Sequence, residues 1–332
     1  MPPPQVPSLP RPRRRVEMLT AGYTDAEIRA ALTGGRLTRL CTGSYVDTDP
    51  YAALPSDQQY LVRIRAEALR TPQLIVSHLS AAAVHGLPVV RSRLSLVHFT
   101  RQGRGGTRRS GRRWVHVADI PEQFRVTVDG IDLTSVARTI VDVGRTESLQ
   151  TTVAAADAAL QMGLTDPTEI GRALLDAHWH PGSPRARRAI RLVDGRAESA
   201  GESLLRIGIG GRGLPDPELQ VEIRDEDGRF VARTDMALLA YGILIEFDGH
   251  TKYAELLRPG QDVTDVVLAE KRREERLTEL GWLVIRVTWH ELADPAKLAD
   301  RIRRACNARR RLVASGGIRG TAIVPPAVTV GI

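Results

Sequence analysis

Cysteine is scarce in this sequence: its 332 residues include two, Cys41 and Cys306. They lie far apart in different segments, which argues against a disulfide-stapled fold and for a reduced compartment. Two thiols by themselves cannot build a structural zinc site either. Long apolar runs are also missing. No stretch approaches the length needed to span a bilayer, and the opening residues MPPPQVPSLPRPRRR hold no apolar signal core. The expectation is a cytoplasmic protein with no membrane partner. What is present is ordinary for a folded chain, with 42% hydrophobic and 26% charged residues. The length suffices for two or three domains, each able to bury a core.

Charge is unevenly spread. Residues 196–332 carry 21 Lys and Arg against 21 Asp and Glu, so the formal net charge of +8 falls entirely in residues 1–195. Two segments account for more than all of it: residues 1–15, with four arginines and no acid, and residues 101–113, with six arginines. A neutral part joined to a basic one fits a protein whose basic part grips a polyanion. Solvated arginine-rich loops fit the same numbers.

Residues 1–15, rich in Pro and Arg, read as a disordered basic tail. Residues 16–50 read as a winged helix. Thr24-Asp25-Ala26-Glu27 is a capping box, the helix runs through Ile28 and Leu32, and Gly34-Gly35 stops it. RLTRLCTGSYVD then alternates around Thr42-Gly43 as a hairpin wing would.

Residues 51–195 read as an α/β middle domain. Helices at 57–70 and 77–86 precede strands at 94–100, 114–118 and 124–128, and helices dominate from 134 to 194. Between the first two strands, RQGRGGTRRSGRR has four glycines and no apolar side chain. It reads as a mobile loop whose Arg101, Arg104, Arg108, Arg109, Arg112 and Arg113 can clamp phosphates. Thr134 is placed to cap a helix that carries an internal Arg138–Asp142 pair. His178 and His180, two apart at a helix end, point to different sides and are not expected to hold a metal.

The most informative stretch is RTDMALLAYGILIEFDGHTKY, Arg233 to Tyr253. It reads as two strands, with Asp235 in the first and Glu246 and Asp248 closing the second. Leu244, Glu246 and Asp248 share one face, Ile245 and Phe247 the other. Ile243–Phe247 is otherwise apolar on both faces, the pattern of an interior strand. A carboxylate there needs a cation, a proton or hydrogen bonds. Oxygen ligands Asp235, Glu246 and Asp248 suit magnesium or manganese. Residues 264–280 read as a helix with Val267, Leu268, Leu277 and Leu280 inward. The strand at 282–289 carries Arg286, which needs an acidic or phosphate partner. A helix through Leu298–Arg311 follows, and 312–332 reads as a peripheral C-terminal tail.

Asp235, ten residues, Glu246, one residue and a further polar group resembles the core of the PD-(D/E)XK nuclease superfamily, in the branch similar to very-short-patch-repair endonucleases. SAGESLLR (199–206), EFDGHTKY (246–253) and AEKRREERLTELGWLVIRVTW (269–289) extend the resemblance over the domain at 196–311. It implies a restriction-endonuclease-like mixed sheet with flanking helices and magnesium-dependent hydrolysis of DNA phosphodiesters. Asp235, Glu246 and Asp248 would hold the metal and Glu202 would join its shell. Where such nucleases usually carry a lysine two residues after the glutamate, this chain has Asp248, and Lys252 would stand in. His250 lies on the same loop.

GRLTRLCTGSYVD is similar to the end of the N-terminal domain of AbiEi-type antitoxins of type IV toxin–antitoxin systems. SHLSAAAVHG, LTSVARTIVDV and VAAADAAL resemble that family's second domain, with Ser80, Thr134, Arg138 and Asp142 at its recurring polar positions. This resemblance implies operator binding, with Arg29, Arg36 and Arg39 as contact candidates, double-stranded DNA as a partner, and a cognate toxin as another. The expected class is α/β (α+β overall). The expected function is a DNA-binding, metal-dependent endonuclease-like protein, or alternatively an antitoxin-like transcriptional regulator whose nuclease fold is inactive.

Overall fold

The computed structural model describes residues 9–89, 94–249 and 263–331. Among these, twelve α-helices and three sheets, 45% helix and 22% strand, make the class mixed α/β. The chain divides into two compact units. One comprises the residues up to 152 with 168–187; the other comprises 153–167 with 188 onward. Residues 153–167 and 188–195, expected in the middle domain, therefore belong to the C-terminal unit.

The first unit opens with β1 (Arg13–Arg14), α1 (Arg15–Thr20), α2 (Asp25–Thr33), β2 (Leu37–Cys41), β3 (Ser44–Asp47) and α3 (Thr48–Ala52). The capping box forms as its sequence predicts. Thr24 Oγ1 accepts from the Glu27 N–H at 3.2 Å, and the Glu27 carboxylate accepts from the Thr24 N–H at 2.7 Å. β2 and β3 turn at Gly43, whose φ of +74° favours glycine. With β1 they form a sheet in the order β1-β3-β2. Met18, Ile28, Leu37 and Tyr45 close the core of these helices and this small sheet.

Next come α4 (Ser56–Arg70), β4 (Ile75–Val76), α5 (His78–Val84), β5 (Val97–Arg101), β6 (Arg108–Ser110), β7 (Arg113–Val117), β8 (Arg125–Val128) and β9 (Ile131–Thr134). Their sheet runs β6-β7-β5-β4-β9-β8 over a core that includes Tyr60, Ile64, Phe99 and Leu133. Residues 101–113 are thus only partly loop: 108–110 form the edge strand β6, because β7 offers a ladder and Gly111 (φ +57°) makes the turn. α6 (Val136–Thr146), α7 (Leu149–Gln161), α8 (Pro167–Asp176) and α9 (Ser183–Ile190) follow, with α7 and α9 each running across a boundary between the units. Ser135, not Thr134, caps α6; the Thr134 hydroxyl instead bonds that of Thr139 at 2.6 Å. The Arg138–Asp142 pair is present at 3.2 Å.

In the second unit, α10 (Ala200–Ile209) precedes β10 (Glu218–Arg224), β11 (Phe230–Leu238), β12 (Ile243–Asp248), α11 (Val263–Glu279), β13 (Leu283–Thr288), α12 (Pro295–Ala314) and β14 (Thr321–Ile323). The sheet order is β13-β12-β11-β10-β14, antiparallel except that β13 runs parallel to β12. β12 is interior, and Ile243, Leu244 and Ile245 are fully buried, as two-sided apolarity predicts. Its faces also alternate as read. Leu244 joins Leu277 of α11 and Leu280 just past its end, while the Phe247 ring lies against Gly201 of α10. Leu268, expected inward, is 45% exposed. The side chain of Val267 lies outside the described residues. The presumed tail is not peripheral. β14 pairs with Glu222–Arg224, and the Val328 carbonyl accepts from the Gly195 N–H at 2.8 Å.

A Cβ on Gly201 would sit 2.0 Å from the Phe247 ring, whereas one on Gly208 of the same helix meets Pro295 at an ordinary 3.7 Å. We predict that Gly201→Ala destabilises the protein by about 1–3 kcal/mol through overpacking. Gly208→Ala should be neutral or stabilising, since alanine favours helix. Urea unfolding of the two variants compares them directly.

Candidate functional site

Asp235 sits where the β11–β12 ladder stops. The last pair of that ladder is Met236↔Ile245, and beyond it the Phe247 N–H donates to the Asp235 carboxylate at 2.7 Å. In β10, Gln220 lies at the same level, between the pairs Leu219↔Met236 and Val221↔Thr234. Its φ is +53°, uncommon for a residue with a Cβ and absent from regular strands. Its amide donates to Glu202 at 2.9 Å.

Glu202 is 2% exposed. It also accepts from the Ser199 hydroxyl at 2.7 Å and the Glu198 N–H at 3.0 Å, while Ser199 Oγ caps the Glu202 N–H. The residue is therefore a buried carboxylate tied to the start of α10, where Ser199 is the N-cap. Burial raises its pKa, and the negative charge of Asp235 adds to that.

Glu246 is engaged on the other face. Arg273 of α11 grips it with two parallel bonds, Nη1 to Oε1 at 2.7 Å and Nη2 to Oε2 at 2.9 Å. Glu270 braces the same guanidinium at 2.9 and 2.6 Å. On β13, Arg286 stands opposite Glu246 in register; its Nε is 3.8 Å from Glu246 and its Nη2 reaches Glu270 at 2.7 Å and Glu274 at 2.9 Å. Arg286 thus has the acidic partners its position demands. Bonds to Glu246 and Glu270 push the Arg273 pKa up further.

Asp248 pairs in register with Thr288 at the end of β12. Among the described residues, no three His, Cys, Asp or Glu side chains are grouped to hold a metal ion. The donor set Asp235, Glu246 and Asp248 does not converge there, and the cation that offsets Glu246 is Arg273. His250 and Lys252 lie outside the described residues.

The basic residues are distributed differently. Arg29 on α2, Arg36 before β2 and Arg39 in β2 are exposed and form no ion pair among the described residues. Arg101, Arg104, Arg108, Arg109 and Arg112 are exposed as well, while Arg113 is half-buried, 3.8 Å from Glu67. Arg109 stands apart: its guanidinium lies 3.6 Å over the Trp114 ring.

A buried cluster in the first unit escaped sequence reasoning. His78 opens α5 with φ +52°, and its ring stacks on His116 of β7 at 3.7 Å. His98 Nδ1 of β5 is 3.3 Å from His116 Nε2, and Trp114 stacks on His116 at 4.7 Å. Ser77 Oγ bonds His78 Nδ1 at 2.9 Å and accepts from the Thr100 hydroxyl at 2.8 Å. Arg138, fully buried, also bonds Asp176 at 2.7 Å. His78 Nε2 and Arg138 Nη2 find no hydrogen-bond partner among the described residues. Desolvation holds the imidazoles neutral: His78 falls well below the ordinary value, His98 to about 3 and His116 to about 4. The available signal was the alternation VHF and VHV, which puts both strand histidines on one face.

No protein-family model matches the chain. It is similar to an uncharacterized protein of Mycobacterium tuberculosis, found in two strains, with 35% identity over 182 residues. The match covers 53% of this chain, and the chain spans 62% of the length of those curated relatives.

Two predictions follow from these charges. Arg273→Ala strands Glu246 beside an apolar sheet and should lower stability by about 1–3 kcal/mol, below the ~3–5 of a fully buried pair. Adding Glu246→Gln should recover part of the loss in urea unfolding. For the histidines, folded pKa values lie below the unfolded value of about 6.5. Below that pH the unfolded chain takes up protons that the folded one refuses. Their stabilising contribution is therefore full above about pH 6.5 and is lost as pH falls toward the folded values. Stability should decline by up to about 1.4 kcal/mol per pH unit for each such histidine. His116→Gln should flatten that decline when unfolding is measured between pH 7 and 5.

Proposed function

We propose that this chain is a cytoplasmic DNA-binding regulator of the antitoxin-like type, gripping duplex DNA through its basic first unit, with a nuclease-like sheet that is not catalytic. The observation that carries this choice is the two-bond grip of Arg273 on Glu246. A carboxylate already neutralised by a braced guanidinium has little to gain from a divalent ion. Arg29, Arg36 and Arg39, exposed on a helix and hairpin and without an ion pair among the described residues, support DNA as the ligand, since arginine serves both phosphates and guanine edges. On this reading the further partner is a cognate toxin.

One observation favours the second reading, a metal-dependent endodeoxyribonuclease. Asp235 and Glu202 lie close enough for one charge to raise the other's pKa, and a cation would relieve that repulsion. In that reading Asp235, Glu246 and Asp248 bind magnesium or manganese, Glu246 exchanging Arg273 for the metal, and Lys252 neutralises phosphate.

The regulator reading predicts that Arg36→Ala and Arg39→Ala weaken duplex binding measured by fluorescence anisotropy. A lost phosphate contact should reduce the steepness of log K against log salt by about 0.9. A lost base contact should instead cost about 1–3 kcal/mol at one base position. Unchanged binding in both variants would contradict the assignment of the head.

A further inference from the structure

The basic hairpin sorts its arginines. Arg101 at the end of β5, Arg108 on β6 and Arg113 on β7 line one hollow of about 520 Å3, together with Ser110, Leu74 and Val115. The ladder explains the sorting. Arg108 pairs with Val115 and Ser110 with Arg113, so alternation puts these four on one face and Arg109 with Trp114 on the other. Gly105, with φ +135°, lets the loop pass beside Arg101, because a Cβ there would meet its guanidinium at 3.0 Å.

The charge in this hollow is not balanced from within. Arg101 and Arg108 form no ion pair among the described residues, and Arg113 shares Glu67 with Arg70, at 3.8 and 3.3 Å. Three arginines lining one hollow concentrate positive charge there, which an anion with several acceptor oxygens can offset. Leu74 and Val115 on the same wall reduce competing water. β6 is the edge strand and all its residues are exposed, so the hollow adjoins open solvent, where a long polyanion can pass.

We infer that this hollow is a phosphate subsite that takes a backbone phosphodiester of bound DNA. The inference rests on the DNA-binding reading above and adds to it which arginines of the hairpin act together. Arg109, held on Trp114, is not among them.

The test uses the full chain and duplex DNA over a range of salt, with circular dichroism to establish that each variant is folded. Arg101→Ala and Arg108→Ala should each weaken binding to all duplexes alike and reduce the salt slope by about 0.9. Arg172→Ala, an exposed arginine on α8 outside the hollow, should change neither. If the two hollow variants behave like Arg172→Ala while Arg36→Ala still weakens binding, the subsite is refuted and the DNA reading stands. If none of these variants affects binding, both fall. Calorimetry with inorganic phosphate distinguishes the source. Phosphate binding that is lost in Arg108→Ala, with DNA affinity unchanged, would assign the hollow to a free phosphate compound and overturn the DNA assignment.

Discussion

A carboxylate on an interior strand must be neutralised, and the second unit meets that demand with Arg273. Glu246 stands on β12 between two other strands, where water cannot solvate it well. Arg273 reaches it from α11, Glu270 and Glu274 hold the surplus positive charge, and Arg286 links the set to β13. One network thus ties a helix to two strands above the apolar contact of Leu244 with Leu277 and Leu280. The position of α11 on the sheet follows from both, the apolar residues supplying attraction and the ion pairs direction.

The same problem is solved three other ways in this chain. Asp157, in the second half of α7, is fully buried and pushed up to about 6 by desolvation. It is held by the Ser203 hydroxyl at 2.7 Å, Arg206 at 2.8 Å and the Asp194 N–H at 2.8 Å. These bonds explain why residues 153–167 belong with α10 rather than with the helices around them in sequence. Glu202 is satisfied by the Ser199 hydroxyl, the Glu198 N–H and the amide of Gln220, a residue in the left-handed conformation. The histidines of the first unit are kept neutral. Hydrogen bonding, pairing and deprotonation each suit a different depth and a different set of neighbours.

Much of this was legible where the information is local. The capping box at Thr24–Glu27, the wing at Thr42-Gly43, the interior character of Ile243–Phe247 and the Arg138–Asp142 pair all rest on residues a few positions apart. What could not be read depends on distant pairing. Glu246 and Arg273 are 27 positions apart, and no spacing rule distinguishes Arg273 from the other charges of EKRREER. β6 forms only because β7 supplies its ladder, against a local composition of glycine and arginine. β14 forms because the free edge of β10 is available to it. His78, His98 and His116 come from three elements, so no local spacing brings them together.

On the proposed function, DNA is bound by the arginines of the first unit and left intact by the sheet of the second. The most direct measurement incubates the purified protein with supercoiled plasmid and linear duplex in magnesium or manganese, following retention and strand integrity together, beside Glu246→Ala. Retained, uncut DNA is expected for both proteins. Metal-dependent nicking by the wild type that disappears in Glu246→Ala would contradict it and establish the nuclease.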